Sequence, residues 1–155
     1  MMDLNNTETN QISSNFSKGA EGEKRVAEAI AKEGYNVIHV GGAVKYSIDG
    51  GRFFCSDLLP YGKNQTFWVQ VKNKEPRKAY PDTGLEKWRF EALKRLREES
   101  WMAVLLLFTD SSTKIYGNWL DDLKKEEHGG ELNTKTNQEM IYFWLKDLKK
   151  LKDLI

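Results

Sequence analysis

The segment Thr66-Phe67-Trp68-Val69-Gln70-Val71-Lys72-Asn73-Lys74 alternates with the period of a half-buried β-strand. Phe67, Val69 and Val71 fall on one face, and Trp68, Gln70 and Lys72 on the other. Pro76 stops the strand, because it offers no amide hydrogen to a ladder. Upstream, Asp57 opens a second apolar run, Leu58-Leu59-Pro60-Tyr61, and Gly62-Lys63-Asn64-Gln65 reads as the hairpin turn joining the two. The chain must therefore build a sheet that buries one face of this pair. The other face carries an amide and an ammonium close to an acid.

The remaining elements follow from periodicity and punctuation. Residues 1–17 are rich in Asn, Ser and Thr and read as a disordered or loosely docked tail. Residues 18–155 are expected to form a single domain. A helix is predicted from about 18 to 33, with Ser17 as its N-cap, Gly34 as its C′ residue and an inward stripe of Val26, Ala27, Ile30 and Ala31. Glu23 lies in phase with that stripe, and a carboxylate aimed at a core is costly unless something pairs with it. Residues 35–40 read as a strand carrying His39, and Asp49-Gly50-Gly51 as a turn. Arg52, Phe53 and Phe54 suit a short added strand or a substrate-facing loop. Thr83-Gly84-Leu85-Glu86 has the form of a capping box, predicting a second helix from there with Leu85, Trp88, Ala92, Leu93 and Leu96 inward. The run from Trp101 to Phe108 predicts a central strand buried on both faces. Strands are expected over 114–119 and 140–145, a short helix or turn over 120–127, and an amphipathic helix over 146–152 with Leu148 and Leu151 inward. The order predicts an α/β (α+β) fold around a mixed sheet.

Composition limits the function. With 155 residues, 39% hydrophobic and 30% charged, the chain can bury a substantial core. No apolar run approaches the ~18 residues of a membrane span. The polar start, Met-Met-Asp-Leu-Asn-Asn-Thr, is no signal peptide, and the expectation is an intracellular, cytoplasmic protein with no membrane partner. One cysteine, Cys55, and two histidines, His39 and His128, exclude a disulfide framework and argue against a zinc site. A net charge of +1 gives no global attraction to nucleic acid, so a basic surface must be local. Lys74, Arg77 and Lys78 with Tyr80 form such a stretch, and Lys18 is a further candidate phosphate contact.

An acid at the head of one strand with a polar-x-Lys pair on the next suits metal-dependent phosphodiester cleavage. Mg²⁺ or Mn²⁺ takes oxygen ligands and relieves charge on phosphate. Asp57 is the foremost ligand candidate, with the side-chain carbonyl of Gln70; Lys72 is the candidate for orienting the attacking water. Where a carboxylate would add charge, Gln70 adds none, so a weaker metal site is expected.

The spacing resembles the PD-(D/E)xK nuclease superfamily and, within it, the archaeal Holliday-junction resolvases. The resemblance is carried by Lys18-Gly19-Ala20-Glu21-Gly22-Glu23, Gly34-Tyr35-Asn36-Val37, Asp57 and Gln70-Val71-Lys72, and covers about residues 18–108. It implies a restriction-endonuclease-like core, Glu23 as the helix acid, and the backbone carbonyl of Val71 as a metal ligand beside Asp57, Gln70 and Glu23. The departure is Gln70 where the family usually has an acid; Gln-x-Lys is similar to the Mrr-type restriction endonucleases. The implied activity is a Mg²⁺- or Mn²⁺-dependent endonuclease of repair, recombination or restriction, with DNA as partner and RNA left open. Cutting a junction needs two sites at a set spacing, so a homodimer is expected, with Trp119 and Trp144 as interface candidates. The alternative is a non-catalytic module that keeps the fold to bind nucleic acid or protein. A small-molecule hydrolase has little support: Gly-x-Ser-x-Gly and a P-loop are both missing.

Overall fold

The computed structural model describes residues 6–40, 46–48, 51–53, 56–126, 132–133 and 138–155. Its helices are α1 (Asn6–Lys32), α2 (Lys87–Ser100) and α3 (Leu151–Leu154). Its strands are β1 (Asn36–His39), β2 (Tyr46–Ile48), β3 (Gly51–Phe53), β4 (Leu58–Tyr61), β5 (Trp68–Asn73), β6 (Asp82–Glu86), β7 (Val104–Thr109), β8 (Ile115–Trp119), β9 (Leu132–Asn133), β10 (Gln138–Trp144) and β11 (Lys149–Lys150).

The central sheet has the order β1-β4-β5-β7-β8-β11. β5 and β7 are parallel, with Gln70 opposite Leu106 and Lys72 opposite Phe108, and every other pairing in this sheet is antiparallel. It is a mixed sheet flanked by helices, as the order of elements predicted. A second sheet, β6-β10-β9, and a β2–β3 hairpin complete the described strands.

All six residues of β7 are buried, because the strand has a core on each side. Leu105 and Leu107 pack with Val26, Ala27 and Ile30 of α1 and with Phe67, Val69 and Val71. Val104, Leu106 and Phe108 pack on the opposite side with Leu93 of α2 and with Leu85, Ile141 and Phe143 of the second sheet. Phe67 anchors the first cluster edge-on against Tyr35 at 5.4 Å and Trp119 at 5.1 Å. Each fully buried side chain of this size contributes about 1.5–3 kcal/mol.

α1 lies close to the ends of β5 and β7 because Gly22 has no side chain. A Cβ there would stand 3.0 Å from Asn73 Cβ and 3.3 Å from Thr109 Cγ2. Arg25 fixes the contact, donating to Thr109 Oγ1 at 2.7 Å and to the Asp110 carbonyl at 3.2 Å. Gly34, at φ +100°, ends the helix in the left-handed region, where glycine costs least.

Several expectations need correction. α1 begins at Asn6 and not near residue 18, so helix occupies much of the segment read as a tail. Residues 6–17 contain neither proline nor glycine, so no backbone breaker separates them from the predicted helix. The capping box is not a helix start: Thr83–Glu86 lies in β6, paired with β10, and α2 starts at Lys87. The lysine-rich C-terminus is not one helix. β11 pairs with β8 before the single turn of α3, which sends Leu148 to the α2 side of the sheet and Leu151 to the α1 side. Trp119 is packed in the core and Trp144 is partly buried 6.5 Å from Tyr80, so neither is the exposed interface aromatic anticipated. Among the described residues the most exposed large aromatic is Trp101, at 89% exposure, with Tyr61 and Tyr80 also exposed. Residues 1–5, the turn at Asp49-Gly50, Phe54, Cys55 and His128 lie outside the described residues.

The two glycines of α1 provide a stability test. Gly19 has open space where a Cβ would go, whereas Gly22 is pressed against β5 and β7. Gly19→Ala is expected to stabilise the fold by about 0.5–1 kcal/mol. Gly22→Leu is expected to cost about 1–3 kcal/mol through overpacking. Urea unfolding of both variants measures the difference, and equal effects would contradict the packing described here.

Candidate active site

The site forms where β4 begins, where β5 passes it, and where α1 leans over both. Asp57 immediately precedes β4. Its backbone N–H donates to the Val69 carbonyl at 3.0 Å, which places its side chain beside β5. Asp57 is only 4% exposed. A buried carboxylate needs donors, and two come from β5: the Val71 N–H at 2.8 Å and Gln70 Nε2 at 2.6 Å, both on Oδ2. The same Gln70 amide also donates to the Val71 carbonyl at 3.2 Å. Gln70, 2% exposed, thus ties together the two oxygens, Asp57 Oδ2 and Val71 O, that were expected to face a cation. Its own Oε1 is buried without a hydrogen-bond partner.

Glu23 comes from α1, one residue after the tight glycine, and meets Asp57 carboxyl to carboxyl. Its pKa is pushed up to about 7, by burial first and then by the charge of Asp57 and a hydrogen bond to it. Asp57 is also raised, by burial, against the opposing effects of the Val71 N–H, the Arg89 and Lys72 charges and the proton donated by Glu23. Burial and mutual repulsion thus raise the two carboxyls together and favour one proton shared between them.

Lys72 completes the group. Its Nζ lies 2.8 Å from Glu86 Oε1, and Glu86 Oε2 accepts from Arg89 Nε at 3.3 Å. Burial, the largest influence on Glu86, raises its pKa, but the Lys72 charge and hydrogen bond and the Arg89 charge hold it below the ordinary carboxylate value. Glu23, Asp57, Gln70 and Lys72 are thus brought together, and Glu86 and Arg89 join them. Those two were not selected from the sequence. The capping-box pattern accounts for Glu86 locally, and Arg89 lies outside the stripe predicted to face inward on that helix.

The expected basic lip is more varied. Lys74 is half-buried, 5.4 Å from the Tyr142 ring centroid; burial, then the like charges of Lys72 and Arg77, lower its pKa. Lys78 is exposed, and the side chain of Lys18 lies outside the described residues. Arg77 is turned inward. It holds Asp82 through Nε at 2.7 Å and again through its terminal nitrogen, reaches Glu126 Oε1 at 2.9 Å and stacks 3.5 Å over the Tyr142 ring centroid. Arg77 therefore clamps the loop after β5 to the second sheet.

Glu126 belongs to this clamp, and its pKa is raised to about 7 by burial, a hydrogen bond to Asp82 and the Asp82 charge, with Arg77 opposing.

The chain matches no family model and no curated protein. Among solved structures it is similar to Hjc of Archaeoglobus fulgidus, a Holliday junction resolvase from an archaeal hyperthermophile. The likeness covers 88% of this chain and 93% of that one, with a TM-score of 0.61 at 12% identity. The two share a fold.

The clamp makes stability depend on pH. Folded Glu126 keeps a proton that the unfolded chain releases between 4.5 and about 7, so its contribution is full below 4.5 and is lost as pH rises to about 7. Glu126→Gln, which stays neutral, is expected to gain relative to the natural protein over that window. Urea midpoints of both proteins at pH 5 and pH 7.5 measure this. A difference that does not change with pH would contradict the protonated clamp.

Proposed function

We propose that this chain is a metal-dependent endonuclease acting on branched DNA. The observation that supports it most is the meeting of Glu23, Asp57, Gln70 and Lys72 beside one strand of a fold like that of a Holliday junction resolvase. The resemblance to the PD-(D/E)xK superfamily rests on the same residues.

The donor set suits a hard cation. Every available donor is oxygen: the carboxylates of Glu23 and Asp57, the Val71 carbonyl and the buried, unpartnered Oε1 of Gln70. Turning the Gln70 amide over would exchange its nitrogen for that oxygen on the side of Asp57 and Val71. Among the described residues no group of three or more His, Cys, Asp or Glu side chains is placed to hold a metal, so neutral oxygens and water must complete the shell. A bound Mg²⁺ or Mn²⁺ supplies Lewis acidity toward the phosphate oxygens and lowers the pKa of bound water.

The chain's own groups do the rest. Asp57 and Glu23 present the negative face that fixes the site. Lys72 orients the attacking water and offsets charge growing on the phosphate. The water oxygen forms a bond to phosphorus as the bond to the leaving sugar oxygen breaks. The attacking water gives its proton to solvent, and the leaving oxygen takes one up from solvent. Lys74, beside Lys72 and Glu86, is the proposed phosphate contact, with exposed Lys78 and Lys18 of α1 as further candidates.

A four-way DNA junction, a linear duplex and an RNA duplex incubated with Mg²⁺, Mn²⁺ or EDTA test the reading. Cutting of the junction with either metal is expected, with loss of about 10²-fold or more in Asp57→Ala and Lys72→Ala. Retained binding without cutting by the natural protein would favour the non-catalytic alternative. Gln70→Glu is expected to lower the half-saturating metal concentration, and an unchanged value would contradict Gln70 as a ligand.

A further inference from the structure

Glu86 stands where a helix needs a cap and does not provide one. It is the N-cap residue of α2, with extended backbone at φ −61° and ψ 135°, and it makes no side-chain capping bond. Glutamate is not among the preferred N-caps. The threonine that would serve a capping box, Thr83, is buried with its hydroxyl unpartnered. α2 thus starts without the cap that the Thr83-Gly84-Leu85-Glu86 pattern predicts, and the Glu86 carboxylate is directed to Lys72 Nζ at 2.8 Å. When a local rule fails at a residue that instead enters a polar cluster, the cluster is where the compensation lies.

The strand that carries Lys72 supplies it with no acid of its own. Gln70 precedes Lys72 by two positions and shares its strand face, but it is neutral. An acid at position 70 would lie on the same face as the ammonium. Here that charge arrives from β6, held by the Lys72 contact on Oε1 and by Arg89 on Oε2 at 3.3 Å. β6 is itself fixed: Asp82 at its head is fully buried under Arg77, and Gly84 lets β10 come so close that a Cβ would stand 2.2 Å from the Ile141 carbonyl. Glu86 is thus delivered from a rigid strand to the one charged side chain on the site face of β5.

We propose that Glu86 is a positioning residue that holds the Lys72 ammonium at the site, with Arg89 bracing it from α2. The inference rests on the nuclease reading above and extends it from a single hairpin to β6 and α2.

The test combines cleavage of a four-way junction in Mn²⁺ with ¹⁵N-detected signals of lysine side-chain ammonium groups, which persist when an ion pair shelters the protons from water. Lys72 is identified by the signal lost in Lys72→Arg. Glu86→Gln is expected to lower kcat about 10–100-fold with little change in KM, the usual cost of removing a partner that orients a site residue. It is also expected to broaden the Lys72 signal. Glu86→Asp, which keeps the charge, is expected to recover part of both, which a merely structural role for Glu86 would not allow. Thermal unfolding checks the fold; if Glu86→Gln unfolds, Arg89→Gln takes its place, with a smaller loss of both expected. Unchanged kcat and an unchanged Lys72 signal in Glu86→Gln overturn the inference alone, as does a Glu86→Asp variant no better than Glu86→Gln. No cutting by the natural protein in either metal overturns the nuclease reading, and the inference with it.

Discussion

The structure turns on one buried carboxylate. Asp57 stands at the threshold of β4, almost without solvent, and an isolated charge there would be untenable. It is tolerated because the parallel β5–β7 pair presents the Val71 N–H and the Gln70 amide to the same oxygen. Glu23 then shares its proton, and the Lys72 and Arg89 charges lie close enough to act on it. The details of the sheet serve this arrangement. β7, buried on both faces, fixes the height of β5, and the bare backbone at Gly22 lets α1 bring Glu23 within reach. A site that costs stability in this way is held by packing on every side of it.

Two connected polar systems lie at and beside the site. Around Asp57, charges alternate: two carboxylates sharing a proton, a lysine, a glutamate and an arginine. Beyond Lys74, the clamp of Arg77, Asp82 and Glu126 ties the loop after β5 to β6 and to the Tyr142 strand. The clamp sets the position of β6, and β6 ends at Glu86. The loop that looked like a phosphate-contacting lip is thus partly an internal brace, with Lys78 left exposed at its edge.

Much of this was readable from the sequence because the signals were periodic. The alternation of residues 66–72 gave the faces of β5, the unbroken apolar run gave β7, and the phase of Glu23 against Val26, Ala27 and Ile30 placed it inward. Asp57 and Gln70 were legible as a pair because a hairpin brings them together. Glu86 was hidden by a competing local pattern: Thr83-Gly84-Leu85-Glu86 satisfies the capping rule, and only pairing with β10 makes it a strand. Arg77 was misleading for the same reason, since its partners Asp82 and Glu126 lie five and 49 residues away. The C-terminal lysines followed a helical period, yet the open edge of β8 captured Lys149 and Lys150. In each case a long-range contact outweighed a local preference, and nothing in one segment alone reports that.

The central claim, that the oxygens gathered by Asp57 can hold a divalent cation, is tested most directly by crystals of the protein soaked in Mn²⁺ and examined for anomalous scattering. The expected result is a peak bonded to Asp57 and the Val71 carbonyl, with the Gln70 amide turned so that its oxygen faces the ion. A peak elsewhere, or none here at millimolar Mn²⁺ with the Gln70 amide still donating to Asp57, would contradict it.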